Sequence, residues 1–170
     1  MRSSILVLLG MLLCCFPRQV LAQSPPEDYS RNSIYLEALG QGLLYSVNYD
    51  YRFVEHGAIR LGATHFILPD FFIGTLNITA FPVMAEYLLG GRNDFLEVGL
   101  GIIPVYGTFT FEFGDAKLPG LNAWVLFGTG TVGYRHQPSG GGFMFRLGIT
   151  PFFTRVGSRP YGGLSLGYAF

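Results

Sequence analysis

The chain alternates apolar residues with small or polar ones at every second position through most of its length. Leu96, Val98 and Leu100 share one side of an extended segment, whereas Glu97 and Gly99 share the other. No segment has a convincing helical repeat, and 24 glycines and 10 prolines disfavour long helices. The pattern therefore predicts an all-β protein whose strands have one apolar face and one polar face.

Turn-forming residues divide this pattern into eight predicted strands. These strands cover residues 33–41, 43–53, 58–67, 76–88, 94–105, 122–136, 142–154 and 160–170. The stretch TFTFEF also alternates, so that its pairing as a further hairpin would raise the number to ten. With an even number of antiparallel strands, the first strand begins and the last strand finishes at the same edge of the structure, where the strand ends meet.

The predicted connections differ in length. The short ones are 54–57, 89–94 and 137–142, and the long ones are 67–75 and 106–121. Outer-membrane β-barrels have short periplasmic turns and longer external loops, so these lengths favour such a barrel. The connections at 40–42 and 156–160 depart from the rule, because both should be external and both are short.

Charged residues collect on the strand face that is opposite the apolar side chains. A charged side chain facing lipid at the bilayer midplane costs about 2–4 kcal/mol, so in a membrane barrel these residues should point inward. About eight strands enclose an interior that side chains can fill. We therefore predict a plug in the lumen, a polar network formed by Glu37, Asp50, Arg52, Arg60, Glu86, Glu97, Arg135 and Arg146. For Arg135 the pattern is ambiguous, because Phe127 has the same parity.

The composition supports a membrane location for the apolar face. Apolar residues make up 49% of the chain and charged residues 13%, and a water-soluble protein of this kind would need a large core. Aromatic side chains near strand ends fit the girdles that mark membrane interfaces. The candidates are Tyr45, Tyr49, Tyr51, Phe53, Tyr87, Tyr134 and Tyr168. The alternative is a soluble fold with these rings in its core.

The first 22 residues have the pattern of a cleavable signal peptide. Arg2 supplies a positive start, residues 5–16 form an apolar run, and cleavage is predicted between Ala22 and Gln23. The polar residues 23–32 then form a flexible lead-in to the barrel.

Both cysteines, Cys14 and Cys15, lie within this predicted signal peptide. The exported chain would therefore contain no disulfide. Leu13 stands where a lipoprotein signal has a small residue, so lipidation is not predicted. Without Arg2 and Arg18, nine basic residues face eleven acidic ones, a net charge of −2 that does not favour nucleic acid as a partner.

The sequence contains no convincing catalytic, metal-binding or cofactor-binding motif. His56, His65 and His136 are well separated and belong to no His-x-x-x-His or Cys/His cluster. The glycines of residues 128–133 lack the Lys-Ser/Thr pair of a phosphate-binding loop and fit a strand better. We therefore predict no cofactor and no enzymatic activity.

The chain ends on an alternating strand, GGLSLGYAF. Leu164, Leu166, Tyr168 and Phe170 share its apolar face. This ending resembles the C-terminal assembly signal of Gram-negative outer-membrane proteins, and residues 33–170 resemble small outer-membrane β-barrels of the OmpA/OmpX-like type. The resemblance implies a closed antiparallel up-and-down transmembrane β-barrel of about eight strands in the outer membrane of a Gram-negative bacterium. It also implies contact with outer-membrane lipid and lipopolysaccharide and recognition by the barrel-assembly machinery, and we expect a monomer.

Three functions follow from the sequence as alternatives. The first is a non-enzymatic barrel with a side-chain-plugged polar lumen and a structural or surface-interaction role. The second is a small pore or transporter for small or apolar solutes. The third is a lipid A-modifying enzyme, since some barrels of this size have that activity and His65 has lipid-facing parity, although no local His-x-Ser pattern supports it.

Overall fold

The computed structural model describes residues 29–69, 74–113, 116–118, 120–154 and 157–170. The predicted signal peptide, its cleavage site at Ala22 and Gln23, and lead-in residues 23–28 lie outside this part of the chain. The described residues form one short 3₁₀ turn, Gly40–Gly42, and ten strands. The strands are β1 (Asn32–Leu39), β2 (Tyr45–Val54), β3 (Gly57–Leu68), β4 (Gly74–Ala80), β5 (Val83–Gly91), β6 (Asp94–Phe113), β7 (Ala116–Leu118), β8 (Asn122–His136), β9 (Gly142–Thr154) and β10 (Gly157–Ala169). No described helix is long and apolar enough to cross a membrane.

The strands close into a ring with eight positions. Strands at adjacent positions of the ring pair antiparallel, and β1 pairs with β10 to complete it. Strands β4 and β5 share one position, because β3 pairs with β5 near one end and with β4 near the other. The short β7 pairs with the end of β6 and adds no position to the ring. The predicted closed antiparallel barrel is confirmed.

The break between β4 and β5 is caused by Pro82, which has no backbone N–H to donate. Two isolated backbone hydrogen bonds continue the ladder at the break. Gly62 N donates to Pro82 O over 2.8 Å, and Phe81 N donates to Pro104 O over 3.0 Å. The wall therefore stays closed through the break.

The observed strands follow the predicted ones with two differences. The predicted strand 76–88 is divided at Pro82 into β4 and β5. Strand β6 runs to Phe113, beyond the predicted end at residue 105, and residues 108–113 are its continuation. The extension pairs with β4, with β7 and with the beginning of β8. The barrel wall is therefore taller at β4, β6 and β8 than at β1, where the strand has 8 residues.

The last residue of the chain closes the ring. Phe170 N donates to Asn32 O over 2.8 Å, and Asn32 N donates to Phe170 O over 2.9 Å. We call this the terminal end of the barrel and the opposite one the far end.

The outer surface of the wall is apolar over a band that matches a membrane. Leu100 lies midway between Asp94 and Tyr106 on β6 and is 66% exposed. At about 3.4 Å per residue and the usual strand tilt of about 35–45°, the stretch from Asp94 to Tyr106 has a height of about 30 Å. This is the thickness of the hydrocarbon core of a bilayer, about 30 Å.

A row of polar and aromatic side chains limits this band toward the far end. We call it the outer belt: Tyr45, His65, Thr79, Tyr106 and Trp124. Register places His65 beside Thr79, Thr79 beside Tyr106, and Tyr106 beside Trp124. The Tyr106 and Trp124 rings lie 5.1 Å apart, and Tyr45 donates its hydroxyl proton to His65 O. Such rings favour the headgroup level of a membrane.

Beyond the outer belt the polarity of the two wall faces is reversed. The outward face carries Thr75, Asn77 and Thr108, whereas the inward face carries Leu76 and Phe109. The part of the wall beyond the belt, which we call the far panel, therefore resembles half of a water-soluble sheet. In the part of the band nearer the terminal end, by contrast, apolar side chains point outward and charged ones inward.

Candidate functional site

The terminal half of the lumen contains a cluster of buried charges. Six side chains at its centre are almost completely inaccessible: Arg60, Arg135, Arg146, Asp50, Glu86 and Glu97. They come from β2, β3, β5, β6, β8 and β9 and project inward because each has the parity opposite to the lipid-facing residues. The charges of three guanidinium groups and three carboxylates balance.

Arg60 and Arg135 share the same acidic partners. Arg60 forms ion pairs with Glu86 and with Glu97, the second over 3.0 Å from Nη2 to Oε1. Arg135 Nη1 lies 2.7 Å from Asp50 Oδ2, 3.1 Å from Glu86 Oε2 and 3.3 Å from Glu97 Oε2. Because every carboxylate has more than one cation, the cluster behaves as one network and not as separate pairs.

Tyr35 and Glu37 extend the network along β1. Tyr35 donates its hydroxyl proton to Asp50 Oδ1 over 2.7 Å and accepts a hydrogen bond from Arg146 Nη1. Arg146 also lies over the Tyr35 ring, 5.0 Å from its centroid. Glu37 Oε1 lies 3.8 Å from Arg60 Nη1. These contacts bring seven of the eight sequence-predicted lumen residues into one connected group around Tyr35.

Arg52, the eighth, lies apart at the terminal end. Its guanidinium group is placed between two rings, 4.5 Å from the centroid of Tyr29 and 5.0 Å from that of Phe95. Its Nη2 donates to Glu55 O. Ser30 beside it is buried, and Gln137 Nε2 donates to Ser30 O over 3.0 Å. Residues at the end of the predicted lead-in thus close the barrel floor.

The 3₁₀ turn Gly40–Gly42 folds inward over the charge cluster. Gln41 is completely buried; its Oε1 accepts a hydrogen bond from Arg60 Nη1, and its Nε2 donates to Gly130 O over 3.4 Å. This fold explains why the connection between β1 and β2 is short although it lies at the far end. The turn separates the charged half of the lumen from the remainder.

The far half of the lumen is an apolar cavity of about 520 Å³. It extends from Gln41 at its floor to Leu121 and Asn122 at its mouth. Its wall is formed by inward-facing apolar side chains of β4, β6, β8 and β9. These include Leu76, Ile78, Ile103, Val105, Phe109, Val125, Phe127 and Phe152.

The cavity resolves the ambiguity of the 122–136 segment. Phe127 pairs with Ile103, which is 1% exposed, and Arg135 pairs with Phe95, which is 3% exposed, so both residues of β8 face the interior. Phe127 belongs to the apolar half and Arg135 to the charged half. Sequence reasoning did not identify this cavity, although Phe109, Val125 and Phe127 have inward parity, a signal that was available.

The histidines do not converge. His65 Nδ1 lies 2.9 Å from Thr79 Oγ1 within the outer belt, and His136 Nδ1 lies 2.8 Å from Asp94 Oδ1 at the terminal end. His56 is in the turn between β2 and β3. Among the described residues, no group of three or more His, Cys, Asp or Glu side chains is arranged to hold a metal ion.

The predicted assembly residues lie on the lipid-facing side of β10. Leu164, Leu166, Tyr168 and Phe170 are all exposed, whereas Ser165 and Ala169 between them are buried. Tyr168 pairs with Ile34 on β1. The apolar face of the last strand is therefore part of the membrane-facing surface.

No family model and no curated protein matches the sequence. The solved structures include similar folds. The N-terminal β-barrel domain of OprF from Pseudomonas aeruginosa is 15% identical, with a TM-score of 0.53 over 83% of this chain and 99% of that domain. Ail, the attachment invasion locus protein of Yersinia pestis, is 12% identical, with a TM-score of 0.48 over 82% of this chain and 97% of Ail. The OprF domain is a β-barrel, and the chain shares that fold.

Proposed function

We propose that the protein is a non-enzymatic barrel of the Gram-negative outer membrane with a sealed lumen and a structural or surface role. The observation that carries this proposal is the charge cluster, in which Arg60, Arg135 and Asp50 are each 0% exposed. Side chains on opposite walls meet at hydrogen-bonding distance, so the lumen is filled at that level. Water and ions have no continuous path through it.

Membrane placement is supported by the two faces of the wall. Leu36, Leu100 and Leu147 are at least 60% exposed on the outward face, which in water would leave a large apolar surface unsatisfied. A water-soluble barrel would have the opposite arrangement, with these leucines in its interior and the charges at its surface. The terminal end would face the periplasm, and the far panel would face the cell exterior.

The contacts of the histidines support a non-enzymatic role. His65 and His136 both have outward parity; the ring of His65 contacts the Thr79 hydroxyl and that of His136 contacts the Asp94 carboxylate. A hydrolytic site would need a nucleophile and an orienting acid at the same ring, and these contacts give each ring one of the two. An interfacial role fits the position of His65 in the outer belt.

Conductance recording tests the seal. The purified full-length mature protein, inserted into planar bilayers, is expected to give no steady channels at moderate voltage. The triple variant Arg60→Gly, Arg135→Gly and Arg146→Gly, which removes the three guanidinium groups from the cluster, is the matched control and should conduct if it keeps its heat-modifiable mobility on gels. Steady openings of the unmodified protein would contradict the proposal.

The apolar half of the lumen favours a second function, the handling of apolar molecules. The cavity of about 520 Å³ lies within the range of about 300–1,000 Å³ typical of small-molecule sites. It ends at Gln41, below which the charges begin. A solute in the cavity would meet this floor, so the arrangement favours binding over passage along the barrel axis.

A further inference from the structure

We propose that the apolar cavity of the far half binds the aliphatic chain of a single amphiphile or lipid, with its polar head left at the mouth. The charge cluster plays no part in this site. The inference rests on the proposed membrane placement for the source of the chain, and the cavity itself does not depend on the seal.

The chemistry of the lining selects an apolar occupant. Among the lining residues, Gln41 and Asn122 carry the polar side chains, one at the floor and one at the mouth. Gln41 is already engaged with Arg60 and Gly130, so it offers little to a ligand. None of the described residues that line the cavity is charged, so these residues offer no partner to an ionic group.

The shape selects a chain over a compact molecule. Along β6 the lining runs from Ile103 to Phe109, a rise of six residue steps, or about 20 Å at about 3.3 Å per step. A sphere of 520 Å³ would be only about 10 Å across, so this lining describes an elongated space. An apolar cavity of about 150 Å³ already accommodates benzene, and this one is more than three times as large.

The mouth lies where an acyl chain is available. Trp124 of the outer belt is on β8 between Ala123 and Val125, two lining residues. In the described strands β9 pairs with β8 from Gly128 toward the terminal end, and the far part of β8 pairs with β6 alone. The rim at Val125, which is 47% exposed despite its inward parity, therefore lies on a strand edge at headgroup level.

Two glycines provide a matched pair of variants. A Cβ atom added at Gly107, which lines the cavity, would meet nothing within 4 Å, and the same holds for Gly162 on the lipid-facing side of β10. Gly107→Phe should therefore place a ring in the cavity without straining the wall. Gly162→Phe should place the same ring in the bilayer region and leave the cavity open.

The test is photolabelling of the full-length mature protein in phosphatidylcholine nanodiscs. One arm uses a free fatty acid with a terminal diazirine, and the other a phosphatidylcholine with the same diazirine chain. Peptide mapping distinguishes lumen-facing Val105 and Phe127 from lipid-facing Pro104 and Leu126. We expect saturable labelling of the lumen-facing residues that excess unlabelled fatty acid or lyso-lipid removes, and the arm that labels identifies the source.

The variants and a chain-length series complete the test. Gly107→Phe should reduce labelling of Val105 and Phe127 at least tenfold, whereas Gly162→Phe should leave it unchanged. Competitor affinity should rise by about fourfold per added methylene until the cavity is filled, as expected for about 0.8 kcal/mol per buried CH₂. Labelling confined to Leu126 and other lipid-facing residues, or labelling of Val105 that Gly107→Phe does not change, would overturn the inference. Both variants leave the charge cluster intact and should remain non-conducting. The labelling result therefore tests the cavity separately from the sealed lumen.

Discussion

Arg146 on β9 contacts Glu97 on β6, with Nε donating to Oε2 over 2.9 Å. The two strands are not neighbours in the wall, because β8 lies between them. Glu97 also accepts hydrogen bonds from Arg60 over 3.0 Å and from Arg135 over 3.3 Å. One carboxylate thus joins three buried guanidinium groups from three strands, and the barrel wall is cross-linked through its interior.

Removal of this carboxylate is expected to destabilise the barrel strongly. Glu97→Leu removes a carboxylate that contacts all three guanidinium groups, and breaking a buried ion pair costs about 3–5 kcal/mol. The free energy of unfolding, measured by urea titration in lipid vesicles, should fall by about that amount. Val98→Ala, one residue away on the lipid-facing side, is the matched control and should cost much less. A loss within the roughly 0.5 kcal/mol typical of surface changes would contradict the network.

The lipid-facing surface gives a depth-dependent prediction. Leu100→Arg should lower the free energy of unfolding in vesicles by about 2–4 kcal/mol, because Leu100 lies at the middle of the apolar band. Leu96→Arg, near the terminal end of the same strand and the same face, should cost only about 0–1 kcal/mol. Equal effects at the two positions would mean that the band does not lie across a bilayer.

Most of the wall could be predicted from parity, because the side-chain period of a strand is two and does not depend on its neighbours. The same parity placed Glu86 and Arg146 on the inward face, and the structure brings them within 3.4 Å. Distances of this kind are not available from parity, since they depend on strand register around the whole ring.

The far half of the lumen was not predicted, although the inward parity of Phe127 was available. Expecting one polarity for each face of the wall fails first inside the membrane band, where Ile103, Val105 and Phe127 are apolar and face inward. Beyond the outer belt both faces leave the bilayer, and the outward side chains, such as Thr108, become polar while Phe109 turns inward. A strand that crosses the membrane interface keeps its parity, but its outward positions then face water instead of lipid and carry polar side chains.

The 3₁₀ turn gives a third prediction. Gly40 has a φ of +64°, and a Cβ atom there would lie 2.5 Å from the Glu37 carboxyl carbon. Gly40→Ala is expected to cost about 1–3 kcal/mol in vesicle unfolding through backbone strain, with further loss from displaced Glu37. Gly162→Ala is the matched control, since its backbone is extended and its surroundings are open, and it should be neutral or slightly stabilising. If the two variants unfold alike, the turn does not seal the charge cluster as described.

The last strand gives a fourth prediction, which separates barrel closure from recognition. We propose that Leu164, Leu166, Tyr168 and Phe170 act as the assembly signal. Phe170→Ala keeps both backbone hydrogen bonds to Asn32 but removes the terminal ring, so refolding into vesicles should be nearly unchanged. In cells the folded, heat-modifiable form in outer-membrane fractions should fall several-fold, because the assembly machinery would no longer recognise the end. Phe170→Tyr, which keeps an aromatic ring, should restore the folded form in outer-membrane fractions.

Deletion of Phe170 should impair both measurements, since it also removes the pairing with Asn32. Unchanged levels of Phe170→Ala in the outer membrane would show that the ring is not read as a signal, and the apolar ending would then serve closure and lipid contact alone.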